Sequence, residues 1–245
     1  MSTYHLRVKS HMKGKAADRS TYIAREGKYR TRGDDLVATG SGNLPESANG
    51  NPYCLWKSAD KHERANGCAA REFELALPAE LTLEQQKEVL HEFIDGTIGD
   101  KPFQFAIHQP VGALSCQSNP HAHVLVCDRI PDGFERPIDQ MFRRYNPHYP
   151  SRGGARKDSG GKSAQVLREE LVAKRKLWAD IQNAALEKHG HAARVDHRSL
   201  EAQGIERAPE RHIGPGGIRN MTEEDKARLV QARTPHSHVK LKQDT

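Results

Sequence analysis

The stretch Asn119-Pro120-His121-Ala122-His123-Val124-Leu125-Val126-Cys127-Asp128-Arg129 constrains this chain more than any other. Two histidines spaced i, i+2 open a Val/Leu/Val run that reads as a β-strand, and alternate strand residues share a face. Both imidazoles therefore point the same way. The run Phe103-Gln104-Phe105-Ala106-Ile107-His108 also alternates, with Phe103, Phe105 and Ile107 on one face and a third histidine at its end. The segment from Gln109 to Pro120 carries two prolines and a glycine, and returns the chain so that the two strands pair antiparallel. Three imidazoles then converge. Three neutral nitrogen ligands leave positions open on a divalent ion, which is the arrangement of a working site rather than a sealed structural one. The chain holds 14 histidines in 245 residues, so the alternative is three ordinary core or surface histidines, and the company they keep decides.

Charge is informative by position. The net charge is +6, yet residues 1–32 hold nine Lys/Arg against Asp18 and Glu26, and Ser151 to Lys176 hold eight against Asp158, Glu169 and Glu170. Two basic blocks on an otherwise balanced chain predict a polyanionic partner and salt-sensitive binding; the alternative is a merely solvated surface. Hydrophobic residues make up 36% of the chain, and no apolar run approaches a membrane span. Met1-Ser2-Thr3-Tyr4-His5 lacks a signal-peptide core, so a cytoplasmic location without membrane insertion is expected. Cys54, Cys68, Cys116 and Cys127 lack CxxC spacing, which argues against a zinc ribbon or a disulfide framework.

Taken in order, Tyr4, Leu6 and Val8 alternate with His5, Arg7 and Lys9, giving a strand with one buried and one basic face. Ala16 to Gly27 reads as a short helix stopped by Gly27, with Tyr22 between Arg19 and Arg25 and with Tyr29 seven residues further on. Gly33 to Asn51 is rich in Gly, Ser, Asn and Asp and reads as a mobile loop, a candidate lid. A helix is predicted from about Leu55 to Asn66. In the strand Arg71 to Pro78, Phe73, Leu75 and Leu77 alternate with Glu72, Glu74 and Ala76. Thr82-Leu83-Glu84-Gln85 is a capping box, opening a helix whose stripe of Leu83, Leu90, Phe93 and Ile94 ends near Gly96. After Asp128 come a short helix over Ile138 to Tyr145, a Pro/Gly/Ser-rich basic stretch, and a long helix from Ala164 to His189 with Leu167, Leu171, Trp178, Ile181 and Ala185 on one stripe. Gly214-Pro215-Gly216-Gly217 leads to a short charged helix, about Thr222 to Arg233, and a polar tail with His236 and His238.

These elements predict an α+β two-layer sandwich: a central antiparallel sheet of at least four strands with helices mainly on one face. The other face would show His5, Arg7, Glu72, Glu74, His108, His121 and His123, a surface suited to a charged ligand. Trp56 and Trp178 are expected in the core, and packing is the simplest role for His197 and His212. A three-histidine metal site, a tyrosine in an arginine-rich helix and a carboxylate pair fit attack of a tyrosine hydroxyl on a phosphodiester. The metal would stabilise the pentacovalent transition state as a Lewis acid, and nearby cations favour the phenolate form of a tyrosine. A glutamate would take the proton or orient a ligating imidazole.

Tyr22-Ile23-Ala24-Arg25-Glu26-Gly27-Lys28-Tyr29, the Arg71 to Pro78 strand, Asn119-Pro120-His121-Ala122-His123 and the segment Asp196 to Arg207 together resemble the MobA/MobL family of plasmid mobilization relaxases, which are HUH endonucleases. The resemblance runs from about Tyr4 to Pro215, and implies a relaxase domain over residues 1–215 with a polar C-terminal tail over 216–245 that carries the short helix. It implies a site- and strand-specific nick at an origin of transfer, with Tyr22 forming a 5′-phosphotyrosyl link that is later resealed. It maps His108, His121 and His123 onto the metal ligands, for Mn2+ or Mg2+, and Glu72 and Glu74 onto an acidic strand, with Glu74 nearest the reaction. Imidazole ligands are unusual for Mg2+, and a softer ion such as Mn2+ or Zn2+ suits the triad better. The partners it implies are single-stranded DNA with an adjacent hairpin, relaxosome accessory proteins and a coupling protein. Tyr29 is the rival nucleophile. The competing readings are a non-catalytic DNA-binding module with a structural metal and a replication initiator of the same superfamily. The tyrosine precedes the HUH motif here, which favours the relaxase. Some members of the family continue into further domains, so the chain is expected to be either a stand-alone relaxase or a piece of one.

Overall fold

Five strands, β1 (Leu6–Met12), β2 (Leu36–Gly42), β3 (Cys68–Ala76), β4 (Phe103–His108) and β5 (His121–Val126), form one antiparallel sheet in the order β1-β3-β5-β4-β2. The computed structural model describes residues 4–112, 118–206, 213, 217–218 and 220–233. Cys116, His212, residues 214–216 and the tail with His236 and His238 lie outside the described residues. The described chain divides into two compact units, residues 1–110 with 119–198 and residues 111–118 with 199–245.

In the first unit the strand alternation builds the core. Phe73, Leu75, Phe103, Phe105, Ile107, Ala122, Val124 and Val126 point to one face and pack against α3 (Leu83–Thr97) and α5 (Ala164–Lys188). From these helices Val89, Leu90, Phe93, Ile94, Trp178 and Ile181 fill the layer, with Phe93 edge-on to both Phe73 and Trp178. The two longest helices thus share one face, and the α+β architecture with a central antiparallel sheet is as expected. The shorter α1 (Ala16–Ile23) and α2 (Pro52–His62) cover part of the other face, where Ala70, Ala106, Leu125 and Cys127 meet Ala16, Ile23, Leu55, Trp56 and Ala59. That face is therefore not all charged. Its polar part is gathered at one end, beside α1.

The Gly33 to Asn51 segment is the main correction to the sequence reading, because it contains β2, an edge strand on β4, rather than a lid loop. The Gly content has a packing cause. A Cβ at Gly40 would lie 2.6 Å from the Phe105 ring, and one at Gly42 2.5 Å from the Phe103 ring, so bare backbone is what lets the strand lie across two aromatic rings. The first helix is shorter than expected. It ends at Ile23, because Arg25 takes the left-handed conformation (φ 54°) and Gly27 follows (φ 53°), after which Gly27–Asp35 is a 3-10 segment. α2 starts three residues earlier than predicted, with Asn51 accepting Tyr53 N–H at 2.9 Å and Pro52 in the first turn. The capping box at Thr82 and Gln85 is formed, and α5 matches its predicted span, with Ser163 as its cap. The helix predicted over Ile138 to Tyr145 is a single turn, α4 (Ile138–Met141). Trp56 and Trp178 are fully buried.

Polar contacts tie α1 to α2 and to the sheet. Lys15 at its start supplies no side-chain cap; instead Asp60 of α2 accepts the N–H groups of Gly14 (2.7 Å), Ala16 (3.0 Å) and Ala17 (2.8 Å). Lower down, Ser20 Oγ donates to Gln104 Oε1 (2.7 Å), which also accepts Trp56 Nε1–H (2.9 Å), tying α1, α2 and β4 to one buried amide.

The described part of the second unit holds an antiparallel bridge between Val111 and Ser118, a 3-10 turn Glu201–Gln203 closed by Gly204 at φ 72°, and α6 (Glu223–Arg233). Thr222 caps α6, its Oγ1 accepting Asp225 N–H at 3.1 Å.

Candidate metal centre and tyrosine

β4 and β5 pair in a register that sets His108 beside His121 and Ala106 beside His123, while β3 sets Glu74 beside His123. Alternation then places all three imidazoles on the face toward α1. Their ring centroids are 5.1 to 5.4 Å apart, and one nitrogen from each lies within 4.8 Å of the others.

The hydrogen bonds select which nitrogens carry lone pairs. His123 Nδ1–H donates to Glu72 Oε1 (2.7 Å), and His121 Nδ1–H donates to the Asn119 carbonyl (3.1 Å), which leaves both Nε2 atoms as acceptors. His108 Nε2–H donates to the Ile23 carbonyl at the end of α1 (2.8 Å), which leaves Nδ1. Burial pushes the His108 imidazole down to about 4, with Arg25 and the other two histidines adding to the shift. His121 is lowered as well, by burial first and then by His123. Three imidazoles, each with one ring nitrogen hydrogen-bonded to the protein and each offering one nitrogen to the cluster, form a donor set that fits a divalent transition ion.

Glu72 is the hub of the polar end. It has no solvent exposure, and it accepts from His123, from His11 Nε2 (2.6 Å) and from a two-pronged Arg19 guanidinium (Nε 2.8 Å, with Nη2 on the other oxygen). Burial alone would raise its pKa, but the hydrogen bonds from His11, His123 and Arg19 outweigh it and hold the carboxylate well below its ordinary range. Glu74, directly opposite His123 in register, turns instead to Lys9. The reason is the twist of the sheet, which favours diagonal neighbours: Glu72 reaches His123 and His11, and Glu74 reaches Lys9, each two residues off its register partner.

Tyr22, half-buried in the last turn of α1, lies between two guanidiniums, with Arg19 Cζ 4.5 Å and Arg25 Cζ 4.7 Å from its ring centroid. Arg19 thereby joins the tyrosine to Glu72 and His123. Tyr29 stands edge-on to Tyr22 at 5.1 Å, and its hydroxyl donates to Asp18 (2.9 Å). Arg25 is buried, and it grips both oxygens of Asp35 (2.8 and 2.7 Å) and donates to the Tyr22 carbonyl (2.9 Å). The Arg25 hydrogen bonds hold the Asp35 carboxyl below its usual range despite partial burial.

The fold thus brings together His108, His121, His123, Glu72 and, through Arg19 and Arg25, Tyr22; Glu74 shares their face but not their hydrogen bonds. Sequence reading missed His11, Asp35 and the bridging parts played by Arg19 and Arg25. His11 shared the parity of Arg7 and Lys9 and was legible as a polar-face residue. Asp35 lay in the stretch read as loop and carried no signal.

Three comparisons bear on this site. The chain is 46% identical over 209 residues to the 43 kDa relaxation protein of Salmonella typhimurium, covering 84% of this chain and 56% of that protein. It is 44% identical over 223 residues to mobilization protein A of Escherichia coli, covering 89% of this chain and 30% of that one. The chain thus spans about half or less of the length of these curated relatives. Its fold resembles that of a chain solved in work on the molecular basis of vancomycin resistance transfer in Staphylococcus aureus, with a TM-score of 0.59 at 23% identity, over 81% of this chain and 100% of that one. The MobA/MobL family matches residues 12–223, nearly the whole span that holds the sheet, the imidazole cluster and Tyr22, and the chain belongs to that family.

Proposed function

We propose that the chain is a relaxase that nicks one DNA strand at a plasmid origin of transfer and reseals it after mobilization. The observation that carries this reading is the joining of a tyrosine to a cluster of three imidazoles through two arginines. Tyr22 Oη loses its proton to solvent and attacks the scissile phosphorus, the P–O3′ bond breaks, and the leaving 3′ oxygen takes up a proton, so the strand is left with a free 3′-hydroxyl and a 5′-phosphotyrosyl end. Attack by that hydroxyl reverses the exchange and frees Tyr22.

In this reading His121 and His123, through Nε2, and His108, through Nδ1, hold Mn2+ or Mg2+, with the imidazole set favouring the softer Mn2+. Such an ion, when bound, supplies Lewis-acid stabilisation of the phosphate oxygens. Glu72 fixes the tautomer and tilt of His123, as a buried carboxylate behind a ligand does. Its oxygens are taken by His11, Arg19 and His123, which suits an orienting group better than a proton acceptor. Glu74 acts with Lys9 on the strand face and is the weaker candidate for direct participation. Arg19 and Arg25 lie against the Tyr22 ring and hold it at the end of α1.

The substrate is single-stranded DNA around the nick together with an adjacent hairpin, met by the basic blocks at residues 1–32 and Ser151 to Lys176. Relaxosome accessory proteins and a coupling protein are the further partners, and the setting is the cytoplasm. Residues 1–215 would carry the reaction, and 216–245 would form the tail. Among the described residues, no helix is long and apolar enough to cross a membrane.

The test is incubation with an oligonucleotide spanning the nick region of the encoding plasmid and Mn2+, followed by denaturing electrophoresis. A covalent protein–DNA band that disappears with Tyr22→Phe and with EDTA is expected. Tight DNA binding without a band under any metal refutes the enzyme and favours a binding module. A band that survives Tyr22→Phe moves the nucleophile to Tyr29.

A further inference from the structure

We propose that Arg25, held by Asp35, is a positioning residue that sets the Tyr22 ring against the imidazole cluster and so governs the rate of strand cleavage rather than DNA affinity. The inference rests on the nicking reading above and adds two residues to it. An arginine recruited only to hold DNA phosphates belongs at the surface, where its charge stays hydrated until the strand arrives. Arg25 does the opposite: its side chain is 6% exposed. Its N–H groups are spent inside the protein, two on Asp35 and one on the Tyr22 carbonyl, and Nη2 stands 3.5 Å from His108 Nδ1, too long a contact to occupy the lone pair that the metal reading requires. The same guanidinium lies over the Tyr22 ring. Arg25 therefore contacts both the tyrosine and one imidazole, and it has little donor capacity left for a ligand.

The backbone supports the same view. At φ 54° Arg25 occupies a left-handed position that glycine takes without strain and that costs another residue about 1 kcal/mol. The strain is tolerated because the side chain, once there, is gripped on all sides. Asp35 has a second effect. A lone guanidinium beside three imidazoles would repel a divalent cation, and the Asp35 carboxylate cancels that charge in place. Because Asp35 immediately precedes β2, whose Leu36 pairs with His108, the edge strand itself holds the ion pair at the cluster.

The experiment compares the parent chain with Arg25→Lys and Asp35→Asn, using protein in excess over the nick-region oligonucleotide with Mn2+. It reads the rate of covalent band formation, the oligonucleotide Kd by fluorescence anisotropy and the Mn2+ Kd by calorimetry. Each variant, assayed at saturating Mn2+, is expected to slow cleavage on the order of a hundredfold, the cost of roughly an ångström of misplacement. The oligonucleotide Kd stays within about threefold of the parent for both, and the Mn2+ Kd within about threefold for Arg25→Lys, whereas Asp35→Asn, which uncovers the guanidinium charge, binds Mn2+ more weakly. Arg25→Gly, which relieves the left-handed backbone, is expected to be as slow and to regain rate with added guanidinium but not with equal sodium chloride. Variants that cleave at the parent rate, or whose oligonucleotide Kd worsens in step with the rate, overturn the proposal. If either first variant melts below the assay temperature, the other, with Arg25→Gly, decides by the same criteria. A parent chain that gives no Tyr22-dependent band refutes the nicking reading itself, which separates the two failures.

Discussion

Replacing Glu72 by Gln removes one charge and almost no volume, from a position with no solvent exposure. The carboxylate receives donors from His11, His123 and Arg19, and an amide can accept on one oxygen only, so its NH2 group must face one of those donors. Breaking a buried ion pair by removing one partner costs about 3–5 kcal/mol. Arg19 is 18% exposed and recovers some hydration, so the lower end, about 3 kcal/mol, is expected. For a unit of this size that lowers Tm by roughly 6–12 °C. Loss of the carboxylate behind His123 should weaken Mn2+ binding by about 10–100-fold. Glu74→Gln is the control: its partner Lys9 is 30% exposed and Glu74 26%, and a pair so placed contributes no more than about 1 kcal/mol. Calorimetric unfolding in EDTA and Mn2+ titration by isothermal calorimetry measure both quantities. Equal destabilisation by the two substitutions, or an unchanged Mn2+ affinity in Glu72→Gln, would refute the assignment of Glu72 as the hub.

The remaining predictions concern pH and packing. His108 is held neutral down to about 4 against an ordinary 6.5, so the unfolded chain takes up a proton first as pH falls. The metal-free protein should therefore be most stable above pH 6.5 and lose up to about 3 kcal/mol between 6.5 and 4; urea titrations in EDTA should show this loss shrink in His108→Asn, and an identical slope in that variant counts against it. Gly40→Ala drives a methyl into the Phe105 ring and should cost about 1–3 kcal/mol by urea denaturation; a neutral result would mean that the edge strand yields easily. Asp60→Ala leaves the N–H groups of Gly14, Ala16 and Ala17 without their acceptor and should cost about 1–2 kcal/mol, with Asp60→Asn recovering part of it.

Much of the site was legible in the chain because its chemistry is local. The His-Ala-His spacing and the Val/Leu/Val run after it specify a strand with two imidazoles on one face whatever lies around it, and the alternation ending at His108 adds a third. The same period placed Phe73 and Leu75 inward and Glu72 and Glu74 outward on β3, and the capping box at Thr82 marked where one helix begins.

Other features depended on partners distant in sequence. Gly40 and Gly42 read as loop because their role is fulfilled by the rings of Phe105 and Phe103, more than sixty residues away. The choice between Glu72 and Glu74 could not be made from parity, since both face the same side; it was made by the sheet's twist, which offers Glu72 to His123 and His11 and Glu74 to Lys9. Arg25 and Asp35 acquire meaning only when the end of α1 meets the start of β2 beside His108. Periodicity determined which residues share a face, because it is a property of the backbone alone. Which of them touch was decided by register, twist and the docking of α1, which are properties of the assembled sheet.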